Sequence, residues 1–176
     1  MKLEELSKKE ILSMEKEMLG IYLSGHPLEN LKDEILKKAT ITSIDLKEID
    51  EANSIVDENV NKFDIKEPKF NDGQSVTYIG IITNIKKKFT KSNKIMAFVT
   101  IEDLYGQAEF IVFENTYLAA GNSLIEENIV VCKGNLSIRE EEKTTIIARE
   151  IKSYDSQKQK KLILDITDVN EDIKVK

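Results

Sequence analysis

Residues 76–151 contain VTYIGIITNIKKKF (76–89), IMAFVTIE (95–102), QAEFIVF (107–113), NIVVCKGNLSI (128–138) and TTIIAREI (144–151). Each run is rich in β-branched and aromatic residues and is bounded by turn residues, the mark of a strand. In 95–102 the alternation is clean, with Ala97, Val99 and Ile101 on one face and Met96, Phe98 and Thr100 on the other. Leu104-Tyr105-Gly106 reads as a tight turn, and residues 114–125 read as a helix with Tyr117, Leu118 and Leu124 as plugs. Gly80 and Gly134 lie inside strands, where a glycine marks a bulge or a sharp coil. Five strands with one helix between the third and fourth are the element order of a small closed barrel of the OB type. The fold class is therefore mainly β with an α appendage: a five-stranded OB-fold barrel preceded by a short helical segment.

Outward from the barrel, residues 7–24 read as a helix. Ser7 and Glu10 form a capping box, and Ile11, Met14, Met18 and Tyr22 recur at helical spacing as a core-facing stripe. Gly25 and Pro27 end it, and a second helix over 28–38 puts Leu28, Leu31 and Ile35 on one face. This pair buries little by itself and needs something larger to pack on. Residues 40–44 read as a short strand and 45–49 as a turn of helix. Residues 50–72 are acidic and Asn-rich, contain Pro68, and end in Asn71-Asp72-Gly73, the composition of a linker or surface insertion. The domains expected are 1–39 helical, 40–73 linker or insertion, 74–153 the barrel, and 154–176 a tail or the start of a truncated domain, with LILDI (162–166) as an orphan strand.

The chain has 176 residues, 40% hydrophobic and 33% charged, with no apolar run long enough to span a membrane and no secretory signal at its start. The single Cys132 makes no disulfide and fits a reducing cytoplasm; within IVVC it reads as core. The net charge of −6 is unevenly spread. All the excess acid lies in residues 1–75, with 11 Lys/Arg against 17 Asp/Glu, while residues 76–152 hold 10 of each. A phosphate backbone responds to local clusters within a Debye length, so the acidic total does not exclude nucleic acid.

Such a cluster exists. Lys86, Lys87, Lys88, Lys91 and Lys94 lie in one strand-one to strand-two loop with Phe89 among them, the combination of charge and flat face that single-strand binders use. A solvated hairpin tip is the plainer account of the same residues. Phe98 points outward as a stacking platform if Ala97, Val99 and Ile101 are core; a bulge would reverse this. Glu109 on strand three and Arg139 at the strand four–five turn are further candidates, although Glu140, Glu141 and Glu142 beside Arg139 repel phosphate. His26, the only histidine, sits at a helix break and reads as structural; Asp103 reads as a turn residue. No metal cluster, phosphate loop, dinucleotide fingerprint or catalytic constellation is evident, so no cofactor is expected.

The string Glu17-Met18-Leu19-Gly20-Ile21-Tyr22-Leu23-Ser24-Gly25-His26-Pro27-Leu28 resembles the E-x-L-G-x-Y-L-S-G-H-P-L segment of the bacterial replicative DNA polymerase III alpha subunits. Residues 76–94, Met96-Ala97-Phe98-Val99-Thr100-Ile101-Glu102-Asp103, Gly106 and Ile111-Val112-Phe113 resemble the same family's OB domain, in the family's order. The resemblance implies a C-terminal fragment of a DNA-directed DNA polymerase, itself without the catalytic aspartates. It implies a cytoplasmic part in DNA replication, with single-stranded DNA, the other polymerase domains, the clamp loader and the sliding clamp as partners. LILDI is then the first strand of a missing domain. Strands two and three also resemble the anticodon-binding OB domain of class II aminoacyl-tRNA synthetases, which implies that Phe98 stacks on a base. There the position matching Glu109 is a base-contacting glutamine, whereas a carboxylate only accepts. The SGHPL segment has no place in an anticodon-binding domain. A protein-interaction barrel within the replisome is the alternative, and salt sensitivity separates it from a strand binder.

Overall fold

A computed structural model describes residues 8–19, 25–54, 69–139 and 142–154. The strands are β1 (Ser75–Phe89), β2 (Ile95–Glu102), β3 (Gln107–Phe113), β4 (Ile129–Ser137) and β5 (Thr145–Ser153). They close into a barrel in the order β1-β2-β3-β5-β4, antiparallel throughout except for the parallel β3–β5 seam. This is the topology expected from the strand pattern. Alternation fills the interior with Ile82, Val99, Ile101, Phe110, Val130 and Ile146, all essentially inaccessible. Tyr78 meets Phe110 edge to face, ring centroids 5.3 Å apart, a favoured aromatic geometry. Burial, and then the charge of Asp103, push the Tyr78 hydroxyl well above the ordinary tyrosine value, so it stays protonated and donates to the Ile101 carbonyl at 3.4 Å. Cys132 is core, and burial pushes its thiol pKa up.

The two strand glycines serve close approach. A Cβ on Gly80 would lie 2.5 Å from the Glu102 carbonyl, and one on Gly134 would lie 2.5 Å from the Ile147 carbonyl. Here neighbouring strands press together so that five can close around one core. Only Gly134 coincides with a shift in register, between Lys133 and Gly134. The shift in β1 falls between Ile82 and Asn84, not at Gly80.

Among the described residues four helices accompany the barrel: α1 (Lys8–Leu19), α2 (Lys32–Lys38), α3 (Ser43–Ser54) and α4 (Glu114–Ala120), with single turns at Glu29–Leu31 and Gly121–Ser123. The lead-in packs on the outer wall of β1 and β4. Leu28 is fully buried against Ile79, with Ile35, Leu104, Ile129 and Val131 around it. His26 accepts from the Leu28 amide through Nδ1 at 3.1 Å, which leaves Nε2 to carry the proton toward Glu102 Oε1 at 3.3 Å. The stripe expected on α1 is not core: Met14 is 48% and Met18 78% exposed, and Ile11 is exposed as well. The wall that receives the lead-in is already covered by Leu28 and Ile35.

Residues 45–49 are helical as expected, within a longer helix, whereas 40–44 are not the expected strand. Thr40 makes one strand-like contact, its amide donating to the Thr77 carbonyl, and then the chain turns into α3. The amide and hydroxyl of Thr42 both donate to Asp45 at 2.8 Å, the returning half of a capping box. Thr42-x-x-Asp45 is the start signal of this helix in the sequence. The expected linker thus begins inside a helix, whose Leu46 joins the barrel core. In α4, Leu118 is 69% exposed; a helix of seven residues turns one face inward, and Tyr117 and Ala120 occupy it. Ser7, Tyr22, residues 55–68 and LILDI lie outside the described residues.

Leu28→Ala is expected to lower stability by about 2–4 kcal/mol, measured by urea unfolding, because a fully buried side chain leaves a cavity. A loss below about 1 kcal/mol would mean that the lead-in is not seated on the barrel. Cys132 is expected to resist a water-soluble thiol reagent at pH 8 in the folded chain and to react fully in denaturant.

Candidate nucleic-acid interface

Strand register decides which sequence candidates meet. Lys86 on β1 pairs with Phe98 on β2, and Phe98 with Ile111 on β3, which pairs in turn with Ile147 on β5. Lys88 pairs with Met96, and Met96 with Phe113. Ala97, Val99 and Ile101 are buried, so these partners stand on the outer face. Lys88 Nζ lies 4.9 Å from the Phe98 ring centroid, a cation over an aromatic face. Lys86, Lys88 and the half-buried Phe98 thus form one cluster on the β2–β3 side of the barrel.

The hairpin that carries the other lysines is ordered by its own backbone. Thr90 and Lys94 exchange bonds, the Thr90 amide reaching the Lys94 carbonyl at 2.9 Å and the Lys94 amide reaching Thr90 Oγ1 at 3.1 Å. Asn93 takes the left-handed conformation at φ 57°, which asparagine tolerates well. The five lysines do not all face one way. Lys87 turns to the other side of the hairpin, with Nζ 5.7 Å from the Tyr117 ring, and Lys94 pairs with Glu114 at 3.5 Å. Phe89 is 70% exposed and follows the parity of Lys87, away from Phe98.

At the opposite end lies the loop between β4 and β5. Glu109, on the outer face across from Thr100, pairs with Lys143 at 4.0 Å. Arg139 pairs with Glu142 at 3.5 Å. The loop is tied down by Asp72, which accepts from the Ile138 amide at 2.9 Å, and by Asp50 of α3, which accepts from the Thr144 amide at 2.7 Å. Glu109 and Arg139 therefore sit apart from the lysine–Phe98 cluster. The aliphatic members of the face, Met96, Ile111 and Ile147, and also Phe113 and Lys143, went unread in the sequence. The strict alternation of QAEFIVF marks 107, 109, 111 and 113 as one face, but only the register joins them to Phe98. Among the described residues, no three His, Cys, Asp or Glu side chains come together as a metal-ligand set.

A family model described as the OB-fold nucleic acid binding domain matches residues 76–154, and the barrel has the OB fold. The chain is similar to the DNA polymerase III subunit alpha of Treponema pallidum, 33% identical over 139 residues, which are 79% of this chain and 10% of that one. It is likewise 33% identical to the DNA polymerase III subunit alpha of Aquifex aeolicus over 133 residues, 76% of this chain and 10% of that one. The chain thus spans about a tenth of the length of the curated relatives it matches. Among solved structures, the mitochondrial single-stranded DNA binding protein Rim1 of S. cerevisiae aligns with a TM-score of 0.39 at 12% identity, over 48% of this chain and 97% of that one. That likeness is too slight to bear on function.

The exposed pair Glu109–Lys143 is expected to be weak, because solvent screens both groups. A double-mutant cycle with Glu109→Ala and Lys143→Ala should give a coupling of about 0.5 kcal/mol or less in thermal unfolding. A coupling above about 1 kcal/mol would make the pair a structural tie rather than a free surface contact.

Proposed function

We propose that the barrel is a single-stranded DNA-binding module of a DNA polymerase III alpha subunit, holding template strand near a polymerase site that lies elsewhere in a longer chain. The observation that carries this reading is the cluster of Lys86, Lys88 and outward Phe98 on the β2–β3 face, where OB-folds take oligonucleotides. The lysines supply charge for phosphates and Phe98 a face for a base. The similarity to named alpha subunits over about four-fifths of the chain supports the replication context. In that setting the chain works in the cytoplasm, its partners are the rest of the polymerase, the clamp loader and the sliding clamp, and it performs no catalysis of its own. The candidate contacts are Lys86, Lys88, Lys91 and Phe98, with Lys87, Phe89 and Lys94 reaching the strand from the far side of the hairpin. Arg139 and Glu109 stand at the edge of the site.

A second reading is a protein-interaction module, favoured by the aliphatic residues Met96, Ile111 and Ile147 on the same face. The two separate in one experiment: fluorescence anisotropy of labelled oligo-dT over a salt series. The strand binder is expected to weaken steeply from 50 to 200 mM salt. Lys86/Lys88/Lys91→Ala should lose about two to three phosphate contacts' worth of salt slope, and Lys87/Lys94→Ala about one or less. Phe98→Ala should lose about 1–3 kcal/mol of affinity. Binding that ignores both salt and the triple substitution would reject the strand-binding reading.

A further inference from the structure

The β1–β2 hairpin outgrows the barrel, and one side of β1 records how. Ile85, Lys87 and Phe89 share one parity, opposite Val99, Ala97 and Ile95 of β2. Ile85 packs against the barrel core. Lys87, two residues on, reaches only α4, its Nζ 5.7 Å from the Tyr117 ring. Phe89, about 7 Å further along the strand, stands largely in solvent. The turn that follows is closed by the Asn93 and Thr90 amides, which donate to the Thr90 and Lys94 carbonyls, each at 2.9 Å. The exposed ring is therefore carried on an ordered arm.

Phe89 and Phe98 stand on opposite sides of this arm. Phe98 is half-buried in the sheet face, with Lys86 paired beside it and Lys88 over its ring, which suits one base of a strand lying flat. A strand lying there cannot also stack a base on Phe89 without turning round the arm. Residues 86–94 are all described, and they carry five lysines and no acid. Two carboxylates approach them. Glu114 pairs with Lys94 at 3.5 Å, and Glu126 accepts from the Ile85 amide at 3.3 Å, at the root of the arm. Among the described residues, Lys86, Lys87, Lys88 and Lys91 pair with no carboxylate, so positive charge predominates on both sides of the tip.

We propose that the hairpin recognises the place where a single strand becomes duplex: the strand lies on the Phe98 side, and the exposed Phe89 ring stacks on the end of the duplex. A terminal base pair is a flat surface broader than the ring, and its two phosphate backbones pass to either side of the tip. Lysines of both parities meet them there. Phenylalanine is one of the apolar residues that proteins set against base steps in this way. The division of the lysines between two sides serves such a ligand, whereas a strand confined to one face uses only half of them. The inference rests on the strand-binding reading. It adds the class of ligand, a single strand joined to duplex, and the residue that tells it from single strand alone.

The test is anisotropy on the full chain at low salt, with oligo-dT, a blunt duplex, and the same duplex bearing an oligo-dT overhang as probes. The overhang duplex should bind about 5–20-fold tighter than oligo-dT, the lower part of what one stacking contact gives. It should also bind tighter than the blunt duplex. Phe89→Ala, at an exposed position, should remove most of the preference over oligo-dT and leave oligo-dT binding unchanged. The chain contains no tryptophan, so Phe89→Trp adds a single reporter, whose emission should respond to the overhang duplex and not to oligo-dT. No preference for the overhang duplex, or one that survives Phe89→Ala, overturns the inference and leaves strand binding intact. An equal loss on oligo-dT overturns it too, because Phe89 is then a platform for single strand. A blunt duplex bound as tightly as the overhang duplex overturns the need for a joined strand. No binding of oligo-dT or of the overhang duplex overturns the strand-binding reading and this inference with it.

Discussion

One buried carboxylate organises the end of the barrel. Asp103, 4% exposed, accepts four hydrogen bonds. Two come from the Tyr105 and Gly106 amides at 2.8 and 2.9 Å and shape the β2–β3 turn. Two come from the amide and hydroxyl of the fully buried Ser43, each at 2.7 Å, and anchor the start of α3. An ionised carboxylate without such donors would be prohibitive in this setting. With them it couples two segments sixty positions apart, because removing either side leaves the other buried and unpaired. A Cβ on Gly106 would come within 3.2 Å of Ser43 Oγ and Lys47 Nζ, so the turn must be close to the helix. From that anchor α3 delivers Leu46 to the core and Asp50 to the Thr144 amide. One turn aspartate thereby orders the β2–β3 turn and, through the helix, the β4–β5 loop.

The packing of the helices also decides which wall of the barrel is left open. Leu28 and Ile35 cover the outside of β1 and β4. The helix α3 closes the end that holds the β2–β3 turn. Beside the short β3–β5 seam, α4 packs along β5, and Thr116 donates its hydroxyl to the Ala148 carbonyl at 3.2 Å. Among the described residues, what remains uncovered is the outer face of β2 and β3 with the first part of β5. That is where Phe98 and its row stand. The exposed apolar surface there follows from the same packing that stabilises the rest.

Much of the barrel could be read from the chain alone. Strand positions and the outward parity of Phe98 follow from strict alternation, a local property of eight residues. Only residues 45–49 of α3 are legible as helix, because the burial of its start depends on Asp103, far along the chain. The α1 stripe misled for the opposite reason. Helical spacing shows that one face is apolar but is silent on whether anything covers it. The lysine run was legible as charge, whereas its division between two sides of a hairpin is a matter of register. The bulge between Ile82 and Asn84 sets that parity, and no residue in the sequence announces it.

The position of Lys88 over Phe98 bears on how such a site would exchange its ligand. An exposed cation–π contact is worth about 0.5–1 kcal/mol, and stacking of a base about 1–3 kcal/mol. A base can therefore displace the ammonium from the ring at modest cost. The displaced Lys88 stays on a strand two residues beyond Lys86 and remains close to any phosphate attached to that base. Its charge moves from an aromatic quadrupole to an anion, which is the stronger partner. In the free protein the same ammonium limits solvent contact with a half-buried ring on an apolar wall. On the proposed function, Lys88 would cover Phe98 when the face is empty and hold the backbone when it is filled. This exchange requires no movement of the barrel, because both residues are fixed by the paired strands from which they project.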